Sequence, residues 1–250
     1  MRVPELAAVV ERRLLVNYRV DPDVAVRVVP PPFRPQLVNG WAVAGICLIR
    51  LGQLRPRGLP SAVGLRSENA AHRIAVEWDT PTGRATGVYI SRRDTATRLN
   101  AAAGGRLFPG EHHLARFRVT ETAGRVRVAL DSKDGTTAVD VMVDAAPTLT
   151  PSALFADLAE ASSFFEGSPH GYSATRRPGV FHGVALSTDA WRVTAAQVSA
   201  VRSSWFDDPD RFPPGSATLD AALLMHDVPV TWRGLAPVQA AEPSVVARLV

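Results

Sequence analysis

HHLARFRVTETAGRVRVALDSKDGTTAVDVMV, residues 112–143, decides the fold. Apolar and polar residues alternate through 112–120, 125–131 and 136–143, the pattern of strands with one wet face. Glu121-Thr122-Ala123-Gly124 and Asp131-Ser132-Lys133-Asp134-Gly135 separate the runs as turns, so the stretch reads as an antiparallel meander.

Upstream, 72–79 and 84–91 pair as a hairpin through Thr80-Pro81-Thr82-Gly83, and Asp94 caps a helix over 95–103 that stops at Gly104-Gly105. Asn39-Gly40 lies between apolar runs, the strongest short-range hairpin signal, because both residues tolerate positive φ. The strand that follows, 41–50, is almost wholly apolar and should be buried on both faces. Leu14–Val20 reads as a strand, and Asp21 then caps a helix that has proline at its first position and runs to Val29. Downstream, a helix capped by Thr150 covers 151–161, and 180–187, 191–205 and 228–232 are the closing strands.

The expected fold is therefore mainly β (α+β): a single domain over residues 1–234, an antiparallel β-barrel or curved sheet with two or three peripheral helices. An Ala/Pro-rich tail, 235–250, should be mobile. A chain of 250 residues can bury one large core without staples. With 46% hydrophobic and 21% charged residues, the composition is that of a folded globular protein. Cys47 is the only cysteine, which excludes an intramolecular disulfide and a cysteine-rich zinc site. No apolar run is long enough to span a bilayer, and a cytoplasmic location with no membrane partner is expected. The pI is about 9.9, yet the net charge is only +4 and the basic residues are scattered, which argues against nucleic acid.

Three stretches carry a resemblance. Asp21-Pro22-Asp23, Val38-Asn39-Gly40-Trp41-Ala42-Val43-Ala44-Gly45 and Arg55-Pro56-Arg57-Gly58-Leu59-Pro60 form the first. Ser67-Glu68-Asn69 with Arg73 is the second, and Gly105-Arg106-Leu107-Phe108 to Glu111-His112-His113-Leu114-Ala115 the third. Together with Phe164-Phe165 and His226-Asp227-Val228-Pro229-Val230, the chain resembles the YqjF-like branch (domain of unknown function 2071) of the acetoacetate-decarboxylase-like superfamily over residues 10–234. The resemblance implies a conical β-barrel with a buried pocket. In the decarboxylases the third stretch carries adjacent lysines, one of which forms a Schiff base; here His112 and His113 stand in their place. The only lysine, Lys133, falls in a polar turn, so imine-based decarboxylation is not expected, and whether the chain is an enzyme stays open.

Glu68 and His113 are the candidate catalytic residues, as acid or base. Arg73, Arg50, Glu111 and His112 are candidate ligand contacts, the arginines offering planar forks to a carboxylate. Each has a plainer alternative. Glu68 and Arg73 could be an ion pair between strands, Arg50 could reach solvent, and Glu111 with His113, which should share one strand face, could be surface. Cys47 reads as a small core residue. The loop 166–172 could be a lid or a surface loop. No metal-binding, phosphate-loop or nucleophile-elbow motif is present, so no cofactor or metal is expected. The expected partner is a small anionic oxo or carboxylic metabolite; the expected chemistry, if any, is that of a lyase, hydratase or isomerase without an imine. A non-catalytic binding module is the alternative, an interaction module a more distant one, and a homo-oligomer is compatible with the sequence.

Overall fold

The computed structural model describes residues 4–106 and 108–240. In chain order the elements are β1 (Leu6–Val20), α1 (Pro22–Val28), β2 (Arg34–Pro35), β3 (Leu37–Val38), β4 (Trp41–Pro56), β5 (Leu65–Thr80), β6 (Gly83–Thr95), α2 (Arg98–Ala103), β7 (His112–Thr122), β8 (Arg125–Ser132), β9 (Ala138–Ala145), α3 (Leu158–Glu166), β10 (His170–Ala174), β11 (Val180–Ser187), β12 (Thr194–Ser203), β13 (Ala217–Gly234) and β14 (Val238–Gln239). Among the described residues the strands form one sheet. The meander β7-β8-β9 and the β3-β4 hairpin are as expected, Asn39 and Gly40 both having positive φ, 50° and 83°.

The sheet closes on itself twice. One circuit runs β6-β7-β8-β9-β12-β13-β1-β4-β5 and back to β6; the other runs from β6 through β10 and β11 to β13 and returns through β1, β4 and β5. The sheet is not purely antiparallel: β6 pairs parallel with β7 through Arg93–Thr95 and parallel with β10 through Val88 and Tyr89. The long strands thus serve two enclosures. Leu14, Val16 and Tyr18 of β1 point into the larger core with Ile46, Leu48, Val128 and Val141. Leu15 points the other way, to Val43, Cys47, Phe155 and Phe165.

Several boundaries differ from the sequence reading for local reasons. The helix expected at 151–161 starts later, because Asp157 rather than Thr150 supplies the cap and accepts from the Glu160 amide at 2.8 Å. Asp94 caps no helix: it is buried in β6 against Arg92, and Thr97 caps α2. Within the proposed tail, Val238–Gln239 pairs with β11, while residues 241–250 lie outside the described ones. None of the described helices is long and apolar enough to cross a membrane.

One end of the larger circuit is tied by four charges. Arg12, 1% exposed, donates to Glu68 at 2.5 Å and Glu121 at 2.6 Å, and Arg50 donates to the same two carboxylates at 2.5 and 2.9 Å. Two cations and two anions compensate each other across β1, β4, β5 and β7; Arg12 is buried, Arg50 and Glu68 are partly so and Glu121 is exposed, so the pairing is what makes burying Arg12 tolerable. Removing one partner strands a buried charge. Glu68→Gln is therefore expected to lower unfolding free energy by about 3 kcal/mol with an unchanged denaturant slope; a neutral result in urea titration would show that the ring does not hold this end together.

Candidate functional site

The second face of the shared strands opens on a cavity of about 640 Å³. Arg13 of β1, Cys47, Ile49 and Leu51 of β4, and Asn69, Ala71 and Arg73 of β5 form its floor. Past the register shift between Val10 and Arg12 the pairing of β1 with β4 is regular, so Arg12 shares the side of Leu14 and faces the ion-pair ring, while Arg13 shares the side of Leu15 and faces the cavity. Phe164 and Phe165 at the end of α3 cover one side; Val184 and Leu186 of β11, Trp191 and Trp232 close another. The walls are mostly apolar, with a few polar groups converging, the usual make-up of a small-molecule site.

Four arginines line this space, and none has a carboxylate within ion-pair distance among the described residues: Arg13, Arg73 and Arg93, and Arg55, whose guanidinium donates to the Leu59 and Gln53 carbonyls. Arg73 is 3% exposed. Its Nη2 donates to Asn17 Oδ1 at 2.6 Å, its plane lies 4.8 Å from the Phe165 ring, and its Nε has no partner. Burial pushes its pKa down to about 10, so it still carries its charge at neutral pH. Arg93 is half-buried, yet its Nη2 is enclosed and unpartnered, and its Nε donates to Ser173 Oγ at 3.3 Å. Burial holds Arg93 down at about 10 as well. Arg13 donates through Nε to Cys47 Sγ at 3.3 Å. Of the carboxylates that line the cavity, Asp94 is engaged by Arg92 and Glu166 is exposed at the rim.

His112 stands at the edge of the cavity, at the start of β7. Its Nδ1 lies 3.1 Å from the Gly110 carbonyl, an acceptor, so Nδ1 carries the hydrogen and Nε2 keeps its lone pair. Burial, and then the charge of Arg93, push its pKa down to about 3, and the ring is neutral at pH 7. Gly104 allows this placement, since a Cβ there would lie 2.4 Å from His112 Nδ1.

The residues expected from sequence divide between the two faces. Arg73 and His112 meet in the cavity. Glu68 and Arg50 do not: both belong to the ion-pair ring, because residues 68 and 73 are an odd number apart on one strand and face opposite ways. His113 is held by Asp134, with Nδ1 2.9 Å from Oδ2, and Glu111 is exposed; both lie on a neighbouring cleft rather than in the cavity. Lys133 is exposed in the β8-β9 turn. Sequence reasoning missed Arg13, Arg93 and the role of Cys47 as cavity wall. Strand parity relative to Arg73 points to Cys47 and Asn69 through the β4-β5 register and to Arg13 through the β1-β4 register, but the shift in β6 hides Arg93.

Two buried histidines give a pH signature. His72, fully buried beside Trp205, has its pKa pushed down to about 3 by burial and then by Arg92 and Arg211, as His112 has by its own neighbours. Both folded values lie below the unfolded value of about 6.5, so the unfolded chain binds more protons as pH falls from there toward 3. Their stabilisation is complete above that unfolded value and is lost on acidification, each at about 1.4 kcal/mol per pH unit. Urea unfolding at pH 7.5, 6 and 5 should show that decline, with a shallower slope in His72→Gln.

Residues 8–216 match DUF2071, described as an uncharacterized conserved protein. No curated protein matches the chain. Among solved structures, an acetoacetate decarboxylase-like enzyme from Sphingomonas wittichii RW1 superposes with a TM-score of 0.61 at 12% identity, covering 96% of this chain and 94% of that one. Acetoacetate decarboxylase from Legionella pneumophila gives 0.62 at 10% identity, with 94% and 88% covered. The enduracididine biosynthesis enzyme MppR, complexed with the condensation product of pyruvate and imidazole 4-carboxaldehyde, gives 0.59 at 13% identity, with 96% and 90% covered. At these identities the likeness is one of fold.

Proposed function

The chain belongs to the DUF2071 family of uncharacterized conserved proteins, and on that premise we propose that its cavity binds an anionic oxo or carboxylic metabolite. One observation carries the reading: Arg73, almost wholly buried and charged, has no carboxylate partner among the described residues, and Arg13 and Arg93, partly buried, face the same space without one. Desolvating a cation costs several kcal/mol unless an anion compensates it. A ligand carboxylate supplies that compensation, and a guanidinium presents the planar fork that fits it. The fold likeness to a decarboxylase and to MppR, whose complex holds a pyruvate-derived product, agrees with such a ligand.

Any turnover runs without an imine, because the only lysine is exposed in a turn away from the cavity. His112 is the group placed to move a proton. With its pKa near 3 it is a weak base in the empty site. A bound anion beside Arg93 offsets the charge that depresses His112 and so raises its basicity. Arginine charge then stabilises an enolate formed by loss of the proton next to a ligand carbonyl, the step shared by lyases, hydratases and isomerases of this type. The low basicity of His112 favours a second reading, a binding module with no chemistry.

A thermal-shift screen against oxo acids, hydroxy acids and carboxylates tests the binding reading; a ligand at a hundred times its dissociation constant stabilises by about 2.7 kcal/mol. Arg73→Met should raise the melting temperature of the free protein, since it removes a desolvated charge, and weaken binding at least about ten-fold. Unchanged affinity in Arg73→Met would overturn the proposed site. Deuterium uptake by a bound oxo acid next to its carbonyl, lost in His112→Asn, separates catalysis from binding alone.

A further inference from the structure

Beside the first cavity lies a second, of about 710 Å³, and Ile90, Arg93 and His112 line both. Its other walls come from the segment after α2, the start of β7, and the β10-β11 turn. Some of its charge is already matched: Arg92 holds Asp94 and Asp134, and His113 holds Asp134. Arg93, Arg106, Arg176 and Arg177 are left, with no carboxylate in ion-pair reach among the described residues. Glu111 is the one further carboxylate that faces the space. Four guanidiniums against one carboxylate make a strongly positive cleft, which focuses field lines on anions. His182 on its wall agrees in sign, its pKa lowered first by burial and also by Arg177.

The two cavities differ in kind and meet at one boundary. The first is lined mainly by apolar residues and exceeds what a three-carbon acid fills. The second is a concave group of planar, multiply donating cations, the chemistry that recognises phosphate. Arg93 joins them, its enclosed Nη2 without a partner.

We propose that the second cavity is a phosphate site continuous with the first, so that the protein binds a bipartite ligand: an acyl body that keeps a free carboxylate for Arg73 in the first cavity, borne at its other end on a phosphorylated carrier held by Arg106, Arg176 and Arg177. This deepens the carboxylate-binding reading and rests on it for the orientation of the ligand. The arginines of the β10-β11 turn are exposed, so replacing them does not threaten the fold.

Calorimetry on the full chain with three probes, pyrophosphate, decanedioate and the mono-coenzyme A thioester of decanedioate, which keeps one free carboxylate, tests the inference. The thioester is expected to bind at least about ten-fold more tightly than either of the others, with an affinity that falls as salt rises. The double variant Arg176→Ser, Arg177→Ser should lose pyrophosphate binding and the advantage of the coenzyme A thioester. Absence of pyrophosphate binding, or an advantage that the double variant keeps, overturns the phosphate site. Pyrophosphate binding without decanedioate binding overturns the bipartite ligand and the carboxylate-binding reading together, while the arginine dependence of pyrophosphate still identifies the cleft.

Discussion

Successive side chains of a strand leave on opposite sides, and β1, β4 and β5 use both sides for different purposes. On one side Arg12, Arg50 and Glu68 meet Glu121 and are neutralised inside the larger circuit. On the other side Arg13 and Arg73 enter a cavity in which, among the described residues, no carboxylate lies within ion-pair distance of them. The strands therefore keep structure and recognition apart within a few ångströms of backbone. The pleat alone accomplishes this, Arg12 and Arg13 being neighbours that leave β1 on opposite sides.

The two arginine groups differ in energetic sense. In the ring each cation touches both anions, so the desolvation of all four is offset by direct contacts. At Arg73 a neutral amide oxygen and an aromatic face are the only close partners, and they offset less. A cost carried in the free protein and relieved on binding is a common trade between stability and function. It also favours anions over neutral molecules of the same shape.

Much of the fold could be read from the chain. The alternation through 112–143 and Asn39-Gly40 located the meander and one hairpin, because period and turn chemistry are local. The parallel pairings of β6 were not legible, since they join segments that no turn connects. Of the site, Arg73 and His112 were recognised, but Glu68 was grouped with Arg73 although an odd spacing on one strand separates them. Arg93 was hidden by the register shift in β6, which cannot be counted before the strands are paired, and Arg13 lies just before the strand read from the sequence, Leu14–Val20. Cys47 reads as core and is buried; only the tertiary structure shows what lies on its other side.

The place where β6 changes neighbours has a kinetic meaning. Toward one end it is joined to β7 through Arg93–Thr95, and toward the other it is joined to β10 by Val88 and Tyr89 alone. The larger circuit stays closed without β10, so the strand pair β10-β11 is a panel held along two short seams, to β6 and to the end of β13, and not a stave of the barrel. Parting the β6 seam breaks few backbone hydrogen bonds, but it pulls Tyr172 and Phe181 away from Phe33, Trp78 and Tyr89 in the main core, so aromatic packing rather than strand pairing holds the panel shut. Any motion of the panel is gated by that packing, and the panel carries Ser173, which accepts from Arg93 where the two cavities meet.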